Sequence, residues 1–158
     1  MDIDKKLEEL GITIPEIAKP LAAYVPGLIA GDFVYISGQL PSRDGKVQYT
    51  GSIGKDLTIA EGQAASRLAA INCLAVLKSS LPAWSYLLRI VKITGYVQCE
   101  KDFHDQAQVL NGASELLEQI FANNGQHARA AVGVYALPLN AACEIEMIAQ
   151  IKGQSEAI

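Results

Sequence analysis

Arg129 is the residue whose type and surroundings most call for chemistry. It stands among Ala128, Ala130, Ala131, Val132 and Gly133 at the start of an expected strand. An arginine in such company must find an anionic partner or keep its head in water. A guanidinium captures carboxylates with two parallel hydrogen bonds, so a small carboxylate is the natural ligand. The competing reading is an internal ion pair with Glu144 or Glu146. Glu144 belongs to the next strand, on its polar side, where a carboxylate near an arginine acts as general base on a water. Its bland alternative is a solvated sheet face. Ser37-Gly38-Gln39 closes an early strand and offers a hydroxyl and exposed backbone amides. Taken alone, it is a turn.

Other chemistries find little support. His104 and His127 have no ligand-spaced partner, so no metal set and no cofactor are expected. His104 reads as a solvated residue near a helix start. His127 reads as a loop residue before Arg129, with a site role as the lesser alternative. No nucleophile elbow, Walker loop or dinucleotide fingerprint occurs, and Gly51-Ser52-Ile53-Gly54 is too weak to count as a phosphate cradle. Cys73, Cys99 and Cys143 are isolated, odd in number and set in apolar stretches, so they read as unreactive core thiols.

The elements that must position these residues follow from pattern. Asp2 to Leu10 forms a short amphipathic helix stopped at Gly11. Pro15, Pro20 and Pro26 keep residues 12–26 extended and irregular. Residues 28–30 and 33–37 flank Gly31-Asp32, a pairing that fits a type II′ hairpin. Arg43-Asp44-Gly45-Lys46 is a second turn, with a short strand expected around Val47 to Tyr49. Thr58-Ile59-Ala60-Glu61 is a capping box for a helix running to Ser79, with Ala64, Leu68, Ile71, Ala75 and Leu77 as its apolar side. Leu88 to Cys99 alternates as a strand, with Val91, Ile93, Gly95, Val97 and Cys99 on one face. Lys92, Thr94, Tyr96 and Gln98 take the other. Asp102 should cap a second long helix reaching Asn123, with Phe103, Ala107, Leu110, Leu117 and Phe121 as its stripe. Residues 129–135 and 142–151 are the last strands. In the final one, Cys143, Ile145, Met147, Ala149 and Ile151 alternate with Glu144, Glu146, Ile148 and Gln150.

Together these elements predict an α+β fold: one mixed sheet with two helices on one face, plus the short N-terminal helix. Residues 1–20 make a helix and arm; residues 21–158 make one domain. The uncovered face is half apolar, so it meets water or another subunit. Composition agrees. The 158 residues weigh 16.9 kDa, are 50% apolar and only 19% charged, below the roughly 25% charge of an average soluble domain. Disorder is excluded by that balance. No apolar run reaches the ~18 to 20 residues of a membrane span, and Met1 to Lys6 does not open a signal peptide. A cytoplasmic location is expected. The net charge of −4 and four scattered arginines, Arg43, Arg67, Arg89 and Arg129, argue against nucleic acid as the partner.

The motifs resemble a known family. Val34-Tyr35-Ile36-Ser37-Gly38-Gln39-Leu40-Pro41 is similar to the N-terminal signature of the YjgF/RidA family, also called reactive intermediate deaminases and, in older usage, endoribonuclease L-PSP. Ala128-Arg129-Ala130-Ala131-Val132, then Leu137-Pro138, then Glu144-Ile145-Glu146-Met147-Ile148-Ala149 resembles its C-terminal signature at family spacing. The resemblance covers about residues 21–152. It implies a chorismate-mutase-like fold and a homotrimer with three inter-subunit clefts. It also implies hydrolysis of enamine/imine intermediates, such as 2-aminoacrylate, to 2-keto acids and ammonia. On this resemblance Arg129 binds the substrate carboxylate and Glu144 positions or activates the water. Ser37 and Gly38 form a pocket-lining turn, Asn111 matches a pocket asparagine, and Tyr24 falls where the family has a pocket tyrosine. Two features depart from the archetype. Ala131 stands where the deaminase branch has cysteine, and the N-terminal helix is extra; both point to a longer branch. The alternatives are a non-catalytic binder of a small carboxylate-bearing metabolite and, third, an endoribonuclease or translation inhibitor.

Overall fold

A computed structural model describes residues 2–17 and 24–153. The expected boundary between arm and domain, at residue 20, lies outside these residues, as does Pro20 of the arm. Helix α1 spans Ile3–Glu9, capped by the Asp2 carboxylate accepting from the Lys5 N–H at 3.1 Å. The chain then turns at Gly11, whose φ is +64°. The Ile12 N–H reaches the Leu7 carbonyl and the Gly11 N–H reaches Glu8, the two bonds of a Schellman stop. Leu7 is buried, and Asp4 accepts from the Trp84 indole at 3.2 Å, so α1 is docked on the domain.

Strands β1 (Gly27–Ala30) and β2 (Phe33–Gln39) pair with Ala30 opposite Phe33. Of the two turn residues, Gly31 alone has positive φ, as a type II′ turn requires. The tiny hairpin β3 (Ser42–Arg43) and β4 (Lys46–Val47) turns through Asp44 and Gly45, both at positive φ. It is shorter than the strand expected to reach Tyr49. Helix α2 (Ile59–Ser79) begins with the expected capping box. Strand β5 (Leu87–Gln98), helix α3 (Gln106–Phe121), strand β6 (Ala128–Val134) and strand β7 (Cys143–Ile151) follow. The five long strands form one sheet in the order β1-β2-β7-β5-β6. Only β5 and β6 run parallel, with α3 as their crossover. The sheet is mixed, and α2 and α3 cover one face.

Several expectations need correction. In α2 the expected Ala75 and Leu77 are buried, together with Gly62, Ala65, Ser66, Ala69, Ala70, Cys73, Leu74 and Val76, while Ala64, Leu68 and Ile71 are only half-buried. Small residues turn inward because α2 and α3 approach closely: a Cβ on Gly112 would overlap the Gln63 carbonyl. Helix α3 starts after Asp105, since a turn from Glu100 to Phe103 occupies the residues that Asp102 would have capped. It ends at Phe121, and its buried stripe is Val109, Leu110, Ala113, Leu116, Leu117, Ile120 and Phe121, with Ala107 exposed. In β5 a register shift between Ile90 and Lys92 puts Ile90 in the core and leaves Val91 half-buried. Gln98, expected on the uncovered face, is buried. Its amide donates to Asn140 Oδ1 at 2.6 Å, and its carbonyl oxygen accepts from the Leu137 N–H at 2.8 Å.

The α2–α3 approach yields a test. Gly→Ala in an exposed helix interior gains about 1 kcal/mol from propensity. At residue 112 the added methyl meets a backbone carbonyl that cannot move aside, and overpacking costs about 1–3 kcal/mol. Gly112→Ala should therefore lower the urea midpoint with an unchanged m-value; a raised midpoint would refute the close approach.

Candidate functional site

Arg129 is seated by α3. Strand β6 is the sheet edge beside β5, with Arg129 opposite Ile93, a core residue, so the arginine lies on the helix-covered side. There Asn111 and Ser114, three residues apart on one helix face, receive it. Nη1 donates to Asn111 Oδ1 at 3.0 Å and to Ser114 Oγ at 3.1 Å. The expected ion pair with Glu144 or Glu146 is absent. Among the described residues the ion pairs are Lys6–Glu9 and Lys78–Asp4. Arg129 is therefore held by neutral oxygens. Its side chain is exposed, and among the described residues Nε and Nη2 meet no protein acceptor, leaving a two-pronged edge for an anion.

The neighbours of Ser114 fix its proton. His127 Nδ1 lies 2.6 Å from the Gly125 carbonyl, and Nε2 lies 3.0 Å from Ser114 Oγ. A carbonyl only accepts, so Nδ1 carries the hydrogen in the neutral ring and Nε2 takes the Ser114 hydroxyl proton. Burial pushes the imidazole below its usual value and the Arg129 charge pushes the same way, against the Gly125 hydrogen bond and Glu118. Gly125 belongs here for want of a side chain, since a Cβ would overlap the Leu117 carbonyl of α3.

The remaining candidates gather on the uncovered face. β2 shifts register against β7 between Ile36 and Gln39, and that irregularity brings Gly38 beneath Glu144. A Cβ on Gly38 would overlap the Glu144 carboxylate. Glu144 is half-buried, and burial first, then the Glu146 charge, push its carboxyl above the ordinary range. Tyr96 donates to Glu146 Oε2 at 3.2 Å. Ser37 does not offer a free hydroxyl and amide. Its Oγ donates to the Val25 carbonyl at 3.0 Å and its N–H to the Pro26 carbonyl at 2.9 Å. These bonds tie down the segment carrying Tyr24, which is exposed. Tyr24, Ser37, Tyr35, Lys92, Thr94 and Glu146 are among the residues lining a concavity of about 610 Å³ on this face.

The candidates thus form two groups. Arg129 and Asn111 share one; on the opposite face Gly38 lies against Glu144, while Ser37 and Tyr24 line the concavity that Glu146 also lines. β5 separates β6 from β7, and Glu144 lies on the face opposite Arg129. One chain does not bring Arg129 and Glu144 together, contrary to their expected proximity on neighbouring strands. His104 is exposed. No cluster of three or more His, Cys, Asp or Glu suited to a metal occurs among the described residues. Cys73 and Cys143 are buried and Cys99 is half-buried. Burial pushes the Cys143 thiol up to about 12 and raises Cys73 as well. Sequence reasoning missed Ser114 and gave His127 the lesser role. The signal for Ser114 was its three-residue spacing from Asn111.

Comparison with known proteins shows the family and the fold. Residues 4–151 match the model of the family described as YjgF/chorismate mutase-like, putative endoribonuclease. The chain belongs to this family. The match begins within α1, so it takes in the helix that the motif resemblance left out. Protein TCP17 of Trypanosoma cruzi is 38% identical over 146 residues, spanning 92% of this chain and 91% of that protein. A protein of unknown function from Agrobacterium tumefaciens has 42% identity and a TM-score of 0.88, over 95% of this chain and 93% of its own. A putative endoribonuclease from Shewanella oneidensis has 34% identity and a TM-score of 0.90, over 94% and 99%. The fold is the family's chorismate-mutase-like α+β arrangement. No described helix is long and apolar enough to cross a membrane.

Glu144 gives a pH test. A carboxyl whose value is raised by folding binds its proton more tightly in the native state. Its favourable contribution is complete below the unfolded value and is lost as pH rises through the folded one. The ionised Glu144 is thus a burden at neutral pH. Glu144→Gln should raise the urea midpoint at pH 7, and the gain should shrink towards pH 4; a gain independent of pH would contradict the assignment.

Proposed function

We propose that the protein hydrolyses reactive enamine/imine intermediates of the 2-aminoacrylate type to 2-keto acids and ammonia. The single observation that carries this reading is the Arg129 guanidinium, fixed through Nη1 by neutral Asn111 and Ser114 oxygens with its charge unbalanced. Such a group is prepared for a carboxylate, and the family resemblance supplies the substrate class. The enamine tautomerises to the imine, which is already electrophilic, so orientation and one proton shuttle suffice. Arg129 holds the carboxylate. Glu144, whose carboxyl burial and then the Glu146 charge push above the ordinary range, accepts a proton from water as the water oxygen bonds to the imine carbon. It returns that proton to the nitrogen, giving a carbinolamine, and then takes the hydroxyl proton and passes it to the same nitrogen, so that the C–N bond breaks and ammonia leaves as the carbonyl forms. The turn at Ser37-Gly38, with Tyr24, lines the far end of the substrate.

We propose further that the site is completed between copies, as a homotrimer with a cleft at each junction. Two observations support this. Arg129 and Glu144 lie on opposite faces of one sheet. The uncovered face also carries exposed Leu28, Tyr35 and Val132.

A second reading, binding of a small carboxylate-bearing metabolite without turnover, is favoured by the completeness of the Arg129 seat within one chain. Ammonia release from amino-acid oxidase products separates the two. The name "putative endoribonuclease" carried by the family has less behind it. The net charge is −4, and Arg43, Arg67, Arg89 and Arg129 lie on four different strands or helices.

Arg129→Ala should abolish ammonia release while the oligomer persists. Mixing Arg129→Ala and Glu144→Gln subunits after unfolding should restore part of the activity, because some clefts then pair two intact halves. Unchanged release by Arg129→Ala would end the deaminase scheme, and failure of every mixture to recover would end the shared cleft.

A further inference from the structure

Ser114 and His127 lie outside the family motifs that assign the site, yet they complete the seat of its arginine. We propose that they are positioning residues for Arg129, acting as a one-way hydrogen-bond relay that keeps the guanidinium in its anion-receiving pose. The inference rests on the reading of Arg129 as the carboxylate anchor.

The direction of each bond follows from its partner. The Gly125 carbonyl accepts from Nδ1 at 2.6 Å, which makes Nε2 an acceptor. Nε2 at 3.0 Å takes the Ser114 proton. With its proton committed, Oγ turns a lone pair to Arg129 Nη1 at 3.1 Å. Asn111 Oδ1 takes the second Nη1 hydrogen at 3.0 Å. Both hydrogens of one nitrogen are thereby fixed, and the planar guanidinium cannot rotate without losing both bonds. The Nε–Nη2 edge is left facing outward.

Two features set this arrangement apart from an incidental contact. His127 is half-buried in a segment pressed onto α3 at Gly125, so the ring has little freedom. Every partner along the relay is neutral, so the charge of Arg129 is oriented without being compensated. Ser114 also pairs a hydroxyl with an imidazole, as a hydrolytic nucleophile would. Arg129 occupies a lone pair of that oxygen, however, so the hydroxyl serves as a link in this arrangement.

Pyruvate, a 2-keto acid of the proposed product class, is a suitable probe, titrated calorimetrically into the intact protein. Ser114→Ala and His127→Phe should each weaken pyruvate binding about tenfold while the thermal midpoint stays close to wild type. His127→Gln, whose side-chain oxygen can take the Ser114 proton, should recover most of the loss. The imidazole nitrogen spectrum of the wild type needs no variant, and it should show Nδ1–H as the neutral tautomer of His127. Full affinity in Ser114→Ala and His127→Phe, alongside loss in Arg129→Ala, would overturn the relay and leave the anchor standing. Retained binding in Arg129→Ala would instead remove the anchor itself. An Nε2–H tautomer would also overturn the relay, because Ser114 would then have no acceptor for its proton.

Discussion

Two helices must cover one face of a five-stranded sheet, and they do so by meeting through small residues. Gly62 of α2 lies against Val109 of α3, and Gly112 of α3 lies against the Gln63 carbonyl. Ser66 bridges the pair, donating to the Val109 carbonyl at 2.7 Å. This approach fixes α3 over the β5–β6 edge. Asn111 and Ser114 then reach the edge strand at Arg129. Both helices are used on one face, so the second is left without a layer.

Charge is distributed in keeping with that division. The guanidinium sits on the covered side, among neutral oxygens. Glu144 and Glu146 sit on the uncovered side, where the Glu146 charge adds to burial in disfavouring ionisation of Glu144. Opposite charges that would neutralise one another within a chain are separated by the sheet. Neutralised groups would be easier to bury but would bind nothing, since a paired arginine has no free edge. The cost falls on stability, through a half-buried carboxylate, and the gain falls on recognition.

What was legible in the sequence was local. The Thr58–Glu61 box, the Gly31-Asp32 turn and the alternation in β7 were visible because each signal lies within a few residues. On α2, Ala75 and Leu77 were read correctly as buried, but hydrophobicity also favoured Leu68 and Ile71, which are half-buried because close helix contact favours residues without bulk. Val91 was assigned to the core because strict alternation cannot foresee a register shift, and Ile90 took its place. Of the site, Arg129 and Glu144 were visible by type, and Asn111 by resemblance. Their separation was not, because strand order is a long-range property: neighbours in sequence, β6 and β7, are parted by β5. Ser37 was read as a source of free hydrogen-bonding groups, since sequence cannot show that Val25 and Pro26 come back to use them.

The proton affinity of Glu144 belongs, so far, to one chain. Its rise comes first from burial and second from Glu146. In the cleft proposed above, a second copy covering the open face removes more water and pushes the carboxyl further up. The same copy carries an arginine on its edge strand, and a guanidinium near the carboxylate pulls it down. Bound substrate shifts the balance again, because its carboxylate neutralises that guanidinium. Glu144 is then most easily protonated when the cleft is full, at the stage when the nitrogen must gain a proton to leave. In the empty cleft the arginine favours the ionised form, so the carboxylate enters the substrate complex without a proton and can accept one from water there. The second copy's guanidinium and the ligand's carboxylate therefore act on one carboxyl with opposite signs, and the sheet that separates Arg129 from Glu144 within a chain lets both effects operate between chains.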